Sequence, residues 1–240
     1  MFEIIVLGAT FTAAGIVNRH KKKCLVIERR MQAGYEFFGA LNFGCNYEKT
    51  IKSNSALLLK EKFCKEKSLF SCESLIYPYF NNTFTLFGTQ IVSVAIIDGV
   101  FTCTTHGTSG YRTFKAKNII DTRCDYRTSV SKTYNFLIES DTEPIIPSCT
   151  FTKVYGENRY VIHCPVPLSC SYSEARNIIL PIIKNFSKGQ RLILLANEFD
   201  YRTHISYPKK ENDIIYIPSK EYDNPILAFE AGTKAGKEFL

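Results

Sequence analysis

The chain has 240 residues, of which 45% are hydrophobic and 22% charged, so its composition excludes a disordered chain. No internal repeat indicates collagen, a coiled coil or a solenoid. The net charge of +7 is a mild excess, and without a groove of interleaved basic and aromatic residues it does not indicate nucleic-acid binding.

The nine cysteines and the start of the chain bear on the compartment. No two cysteines are three residues apart, so there is no Cys-x-x-Cys pair for zinc or thioredoxin-like redox chemistry. Glu3 interrupts the apolar start, and the basic residues follow it, unlike in a signal peptide. No other stretch approaches the ~20 apolar residues of a membrane helix. We expect a cytoplasmic protein with reduced thiols, no metal, and no membrane or nucleic-acid partner.

The first elements form a βαβ pattern. Phe2–Leu7 and Cys24–Ile27 are short apolar runs typical of buried strands, and 9–19 between them can form a helix. Gly8 ends the first strand, and Glu28 ends the second, twenty residues later. In such a unit the helix N-terminus holds a pyrophosphate, and the acid accepts hydrogen bonds from a ribose.

The turn between strand and helix is a degenerate form of the G-x-G-x-x-G/A fingerprint. Gly8 supplies the first glycine and Ala13 the third position, but Thr10 replaces the middle glycine. The Thr10 hydroxyl can donate to a phosphate oxygen. We therefore expect a dinucleotide on Gly8, Thr10, Phe11, Thr12 and Glu28, with an unliganded βαβ unit as the alternative.

Three consecutive strands follow in the second quarter of the chain. They are predicted at 91–97, 100–106 and 111–119, and Asp98-Gly99 makes the first tight turn. The third strand runs into a block that reads Ala116-Lys117-Asn118-Ile119-Ile120-Asp121-Thr122-Arg123-Cys124-Asp125.

The C-terminal segment is a strand, a loop and a helix. The strand is predicted at 213–217, and the helix begins at Asn224-Pro225. Asparagine at the N-cap followed by proline at the first helical position is a strong start signal.

Taken in this order, the segments resemble FAD-dependent oxidoreductases of the two-dinucleotide-binding-domain type, whose FAD-binding domain is a glutathione-reductase-like Rossmann fold. The resemblance covers roughly 1–48, 84–126 and 212–240. In that family a segment like Ala-Lys-x-Ile-Ile-Asp-Ala-Thr-Gly-Asp follows a β-meander and returns the chain to the flavin. Here Thr122-Arg123-Cys124 stands in place of Ala-Thr-Gly, and Asp125 is kept.

The resemblance implies an α/β fold, with a parallel sheet and a β-meander, and FAD as the cofactor. It implies that Arg29 and Arg30 lie near the adenosine half. It also implies that Asp125 lies near the cofactor, and that the helix beginning at Asn224 and Pro225 points its N-terminus at the flavin or the pyrophosphate.

The domain prediction follows from these segments. We expect 1–126 with 212–240 to form a discontinuous FAD-binding domain, and 127–211 to form a small inserted β-rich substrate or interaction subdomain. The insert is short, so a partner chain or a second copy could complete its pocket. Its predicted elements are strands at 134–139, 150–154, 160–166 and 191–196 and a helix at 173–186 that Pro181 kinks or breaks.

No catalytic acid or base stands out in the sequence. His163 lies on a predicted strand and is expected to be a core or edge residue. The leading hypothesis is an FAD-dependent oxidoreductase that transfers hydride or electrons to or from a small molecule. The alternatives are a degenerate subunit that serves as a nucleotide-binding or interaction module, and an NAD-dependent dehydrogenase, for which the acid/base group is missing.

Overall fold

The computed structural model describes residues 1–20, 23–65, 74–124, 129–154, 158–203 and 207–238. The chain divides into two compact units. Unit 1 comprises Met1–Tyr35, Gly44–Cys124 and Ser206–Leu240, and unit 2 comprises Glu36–Phe43 and Asp125–Ile205. The side chain of Asp125, one of the predicted cofactor residues, lies outside the described residues.

Strands and helices alternate along the first part of the chain, and strands dominate its middle. The strands are β1 (Phe2–Leu7), β2 (Cys24–Ile27), β3 (Phe84–Leu86), β4 (Gln90–Ile97), β5 (Val100–Gly107), β6 (Gly110–Asp121), β7 (Ser131–Ser140), β8 (Thr150–Lys153), β9 (Arg159–Pro165), β10 (Gln190–Leu195), β11 (Asp200–Arg202), β12 (Lys209–Glu211) and β13 (Ile214–Tyr216). The helices are α1 (Phe11–His20), α2 (Tyr35–Phe38), α3 (Asn54–Lys65), α4 (Tyr77–Phe80), α5 (Tyr172–Lys184) and α6 (Pro225–Glu238).

The main sheet of unit 1 runs in the order β12-β13-β6-β1-β2-β3. The pairs from β13 to β3 are all parallel, and β12 joins antiparallel at the edge. β2 and the last four residues of β1 are apolar and buried because a central parallel strand is covered on both faces.

Strand β6 connects the parallel sheet to a β-meander. Its first half pairs antiparallel with β5, which pairs with β4, and its second half pairs parallel with β1. The meander covers one face of the parallel sheet. Its Phe101 and Cys103 join a buried cluster with Ile5 and Leu25.

Helices α1 and α6 pack against each other in unit 1, backbone against backbone. A Cβ added at Gly15 would lie 2.1 Å from the carbonyl oxygen of Phe229, and one added at Gly232 would lie 1.9 Å from that of Thr12. Only glycine allows this approach, so the glycines of the two helices fix how closely they pack.

Unit 2 is built on an antiparallel sheet in the order β10-β7-β9-β8, with β11 pairing to β7. Helix α5 begins with a capping box, in which the Ser171 hydroxyl accepts from Glu174 N–H and the Glu174 carboxylate accepts from Ser171 N–H. Tyr134 of β7 lies edge-on to Tyr172 of α5, with ring centroids 6.2 Å apart.

The α/β fold with a parallel sheet and a meander is confirmed. The predicted strands lie within two residues of the observed ones, except that β7 begins three residues before the predicted start at 134. At Pro181, where the sequence predicts a kink or a break, the structure shows no break. Helix α5 continues through Pro181 to Lys184. No helix among the described residues has both the length and the apolar character needed to cross a membrane.

Candidate dinucleotide-binding site

The carboxyl ends of three parallel strands meet at one edge of the main sheet. Leu7 pairs with Ile27 on one side and with Asp121 on the other. The residues that follow these strands, among them Gly8 and Glu28, therefore share this edge. In open α/β sheets, ligands bind outside the carboxyl ends of the strands.

Gly8 makes the turn from β1 into α1. Its φ of 95° is a conformation that favours glycine, and its N–H donates to the Ile27 carbonyl at 2.8 Å. A Cβ at this position would lie 2.9 Å from Arg123 Cγ and 3.1 Å from Thr122 Oγ1. The first position of the fingerprint thus needs glycine for both conformation and space.

Glu28 is held in place by the backbone of two neighbouring turns. Ala9 N–H donates to its Oε2 at 2.9 Å, and Arg30 N–H donates to its Oε1 at 2.8 Å. The side chain is buried, and a guanidinium nitrogen of Arg30 lies 3.9 Å from Oε1. A carboxylate has about four acceptor sites, so these two backbone hydrogen bonds leave acceptor capacity for hydroxyl donors.

Two arginines follow Glu28, and the structure separates them. The Arg30 guanidinium lies over the ring of Tyr35, 4.9 Å from its centroid, and this stacking leaves a flat cationic and aromatic surface beside Glu28. Arg29 is exposed. The structure therefore brings Arg30 to the sheet edge and turns Arg29 towards solvent.

Side-chain hydroxyls cap the first turn of α1. Thr10 Oγ1 accepts from Ala13 N–H at 3.1 Å, and the Ser219 hydroxyl accepts from Thr12 N–H at 3.3 Å. Thr10 Oγ1 in turn donates to Thr122 Oγ1 at 2.8 Å. These amides belong to the turn where a pyrophosphate binds in a dinucleotide fold.

The side chains of Phe11 and Thr12 point into the protein, and both residues are fully buried. The Thr12 hydroxyl has no hydrogen-bond partner among the described residues. A buried hydroxyl without a partner is costly, and this one belongs to the turn that would hold the phosphates.

Arg123 brings a positive charge to the same edge. Its Nε and one terminal nitrogen donate to Asp121 at 2.9 and 2.7 Å. Burial opposes its charge, but the hydrogen bond and the charge of Asp121 outweigh this effect and raise the pKa of the guanidinium. About 44% of the side chain is exposed, and a guanidinium has five N–H donors, so donors remain for an anion.

The start of α6 confirms the predicted helix signal. Asn224 Oδ1 accepts from the N–H groups of Ile226 and Leu227, both at 3.0 Å. Its Nδ2 donates to the Cys45 carbonyl at 2.8 Å, and Pro225 is the first helical residue. The structure thus gives Asn224 a capping role and ties it to the segment after Gly44.

The sequence did not indicate Ser219, Thr122 or Arg123 as members of this site. Ser219 lies in a short 3-10 turn after β13, and its N–H donates to the Thr122 carbonyl at 3.0 Å. The signal available for Thr122 and Arg123 was their place directly after β6. For Ser219 no local motif exists, because its contact with Thr12 spans more than two hundred residues.

A dinucleotide such as FAD fits this edge, with one condition. The free acceptor capacity of Glu28 suits the ribose hydroxyls of the adenosine half. At the phosphate end, the Thr12 amide now donates to the neutral Ser219 hydroxyl at the long distance of 3.3 Å. A phosphate oxygen makes a stronger, charge-assisted hydrogen bond, so it can replace that hydroxyl if Ser219 moves aside. In the described residues no group of three or more His, Cys, Asp or Glu side chains is arranged for a metal ion.

No protein-family model matches the chain, and no curated protein matches it by sequence. Solved structures do match. The chain aligns over its full length with p-nitrophenol 4-monooxygenase from Pseudomonas putida, with a TM-score of 0.60 and 12% identity, covering 78% of that protein. It aligns over 98% with glycine oxidase from Geobacillus kaustophilus, with a TM-score of 0.61 and 10% identity, covering 92% of that chain.

A third similar structure is a ternary complex of aklavinone-11 hydroxylase with FAD and aklavinone. Here the TM-score is 0.55, the identity is 11%, and the match covers 99% of this chain and 61% of the hydroxylase. This chain thus spans about three fifths of that enzyme's length. At such low identity the match shows the fold alone. The chain has the α/β fold of FAD-binding flavoproteins.

Proposed function

We propose that this chain binds FAD in unit 1 and acts as an oxidoreductase that transfers hydride or electrons to or from a small molecule. The observation that carries the proposal is the position of Glu28. It is a buried carboxylate at the end of β2, fixed by two backbone N–H donors and left with unused acceptor capacity. A buried carboxylate is costly unless it is hydrogen-bonded, and a ribose would use the capacity that remains.

The residues of the edge have separate proposed roles. Glu28 accepts from the ribose hydroxyls, and Arg30, stacked on Tyr35, borders the adenosine half. Gly8 and the backbone of the first turn of α1, at Thr10, Phe11 and Thr12, face the pyrophosphate. Asp125, Arg29, Asn224 and Pro225 stay proposed cofactor residues, on the resemblance to FAD-dependent oxidoreductases.

Arg123 compensates for the glycines that the chain lacks. A glycine-rich turn binds phosphate with bare backbone N–H groups. In this turn, side-chain hydroxyls already accept hydrogen bonds from some of the backbone N–H groups. The guanidinium of Arg123 lies beside Gly8. An arginine binds phosphate with charge-assisted hydrogen bonds, so the chain can hold the anion with a side chain where other members use backbone.

Bound FAD would supply the electron chemistry, while the protein positions it. We propose that unit 1, predicted from the sequence as 1–126 with 212–240, is the cofactor domain and that the insert at 127–211 serves the small-molecule substrate. The sheet of the insert carries polar side chains. Fully buried Asn135 donates to the Ala40 carbonyl at 2.7 Å and pairs in register with partly exposed His163. Nε2 of His163 hydrogen-bonds Thr152 at 2.9 Å.

The proposed compartment is the cytoplasm. Seven of the described cysteines, among them Cys24 and Cys164, are free thiols, which is the expected state in a reducing environment.

The direct test is an equilibrium titration of the purified protein with FAD and, separately, with FMN. FMN carries the same isoalloxazine ring and a phosphate but lacks the adenosine. Because the proposal depends on Glu28 and the ribose, we expect FAD to bind at least tenfold more tightly than FMN. Equal affinities would mean that Glu28 holds no ribose, and no binding of either flavin by the folded protein would contradict the proposal.

A further inference from the structure

Two cysteines of unit 2 lie at the end of the hairpin formed by β8 and β9. The two strands pair antiparallel with Thr150 opposite His163, and continuing this register one residue beyond β8 places Cys149 opposite Cys164. Val154 N–H donates to the Arg159 carbonyl at 2.9 Å, which marks that pair as hydrogen-bonded. Along an antiparallel ladder, hydrogen-bonded and non-hydrogen-bonded residue pairs alternate. Cys149 lies five residues before Val154, which is an odd number, so Cys149 and Cys164 are in a non-hydrogen-bonded position.

This register suits a disulfide. In a non-hydrogen-bonded antiparallel pair the Cα atoms lie about 4.5 Å apart, with both side chains on the same face. Disulfides span Cα separations of about 4.4–6.8 Å, so the backbone need not move to join the two sulfurs. The thiols of Cys149 and Cys164 lie close enough for each to shift the pKa of the other.

The surroundings differ for the two thiols. Cys164 is buried, and its Sγ lies 3.8 Å from the Pro165 carbonyl oxygen. Cys149 is only partly buried, in the turn that its N–H closes onto the Ile146 carbonyl at 3.2 Å. A third thiol, that of buried Cys170, lies close enough to interact with Cys164. A reagent from solvent therefore reaches Cys149 first.

We propose that Cys149 and Cys164 are a redox-active pair that forms a reversible cross-strand disulfide by exchange with a small-molecule disulfide. In the first step the Cys149 thiolate attacks the small disulfide, forms a mixed disulfide and releases one small thiolate. In the second step the Cys164 thiolate attacks Cys149 Sγ and releases the other small thiolate. The two cysteines are oxidised and the small disulfide is reduced to two thiols, which take up the two protons that the cysteines lose.

The reaction is slow at neutral pH for a physical reason. Burial raises the pKa of Cys149 above its usual value and raises that of Cys164 to about 12, so few thiolates exist at pH 7. The thiolate is the attacking species, so exchange is faster at mildly alkaline pH. The pairing does not depend on the proposed FAD binding, because both cysteines and all the residues around them belong to unit 2.

The test is incubation of the whole protein with oxidised glutathione at mildly alkaline pH, followed by alkylation and peptide mapping without reductant. We expect a crosslink between the Cys149 and Cys164 peptides, with the loss of two hydrogen atoms, that dithiothreitol reverses. The oxidised protein should melt several degrees higher, because the bridge closes a loop of the unfolded chain.

Serine variants test whether the crosslink joins Cys149 to Cys164 and not to another cysteine. Cys149→Ser and Cys164→Ser should each abolish the crosslink, whereas Cys170→Ser and the exposed Cys45→Ser should leave it in place. If Cys164→Ser fails to fold, the change at the partly exposed Cys149 gives the same readout. A lasting glutathione adduct on Cys149 in the folded wild type, no reaction at all, or a crosslink from Cys164 to Cys170 would overturn the proposal.

Discussion

The side chain of Arg123 lies over Gly8, so that its Cγ is 2.9 Å from the position that a Cβ on Gly8 would take. Two hydrogen bonds to Asp121 hold it there. The guanidinium therefore stands beside the turn from β1 into α1, at the place where the resembled flavoproteins carry a small Ala-Thr-Gly segment. A cation in this position changes how the site can bind a phosphate. The guanidinium can donate charge-assisted hydrogen bonds where a glycine-rich segment would offer free backbone N–H groups.

Replacing Arg123 by methionine should weaken FAD binding by about tenfold or more, because a charge-assisted hydrogen bond contributes about 1.5–3 kcal/mol. The remaining affinity should also depend less on salt, since a screened charge is gone. Titration with FAD at two ionic strengths measures both effects. Arg112→Met, a change of an exposed arginine on the far half of β6, the strand that leads to Arg123, is the matched control and should change neither.

Glu28→Gln should lower the affinity for FAD by about tenfold or more while the protein stays folded. Glutamine keeps one oxygen for one of the two backbone N–H donors and turns its NH2 group towards the other. A ribose hydroxyl therefore loses its charged partner, and the turn loses one backbone hydrogen bond. Glu3→Gln is the control, since Glu3 lies at the start of β1 and its carboxylate accepts from the Lys23 ammonium at 2.8 Å. An unchanged FAD affinity in the Glu28 variant would remove the ribose contact from the account.

Thr10→Gly should move stability and affinity in opposite directions. The variant loses the hydroxyl that caps α1 and bonds Thr122, which should lower the free energy of unfolding by about 1 kcal/mol. It also restores the middle glycine of the fingerprint and opens the backbone to the phosphates, so FAD should bind about fivefold more tightly. Denaturant unfolding and FAD titration measure the two changes. A variant that loses both stability and affinity would show that Thr10 itself contacts the cofactor.

The sequence was sufficient for most of the strands, for the meander and for the helices α1, α5 and α6, because these depend on local patterns. It did not predict β3, β11, β12 or α3. Apolar runs defined β1 and β2, Asp98-Gly99 defined the hairpin, and Asn224-Pro225 defined the start of α6. It was not sufficient for the hydroxyl cap on α1. That cap joins Thr12 to Ser219 and Thr10 to Thr122, and such long-range contacts leave no periodic trace in either segment.

The residues that make up unit 2 could not all be predicted from local sequence patterns either. The short segment 36–43 groups with unit 2, where Asn42 donates to Asp200 and the Gly39 carbonyl accepts from Asn197 N–H and Glu198 N–H. Nothing local in the sequence predicts that grouping, because each partner lies far along the chain. Likewise, the cross-strand pairing of Cys149 with Cys164 follows from strand register and not from cysteine spacing.

Gly232→Ala should destabilise unit 1 by about 3 kcal/mol, because its Cβ would lie 1.9 Å from the Thr12 carbonyl oxygen and two helix backbones would have to separate. Gly236→Ala lies one turn later on the same helix, with its nearest neighbour at 3.6 Å. That change should be neutral or stabilising by up to about 1 kcal/mol, since alanine favours the helix. Denaturant unfolding of the two variants decides the matter, and equal effects would contradict the close packing of α1 and α6.

The buried thiol of Cys24 should make stability fall at high pH. Burial raises its pKa from about 9 to about 12. Below pH 9 the thiol is protonated in both states and contributes nothing to pH dependence. Above pH 9 the unfolded chain loses this proton while the folded chain keeps it, so the free energy of unfolding falls by up to about 1.4 kcal/mol per pH unit until about pH 12. Cys24→Ala should show a shallower fall in unfolding experiments across this range, and an identical slope would exclude the thiol as the cause.

The most direct test of the account is the visible absorption spectrum of the purified protein after incubation with FAD and removal of unbound ligand. If FAD binds at the sheet edge beside Glu28, flavin bands should stay with the wild-type protein and should be strongly reduced in Glu28→Gln. A well-folded wild-type protein that emerges colourless would contradict it, and would mean that Thr10, Ser219 and Arg123 close the edge of the sheet to the cofactor.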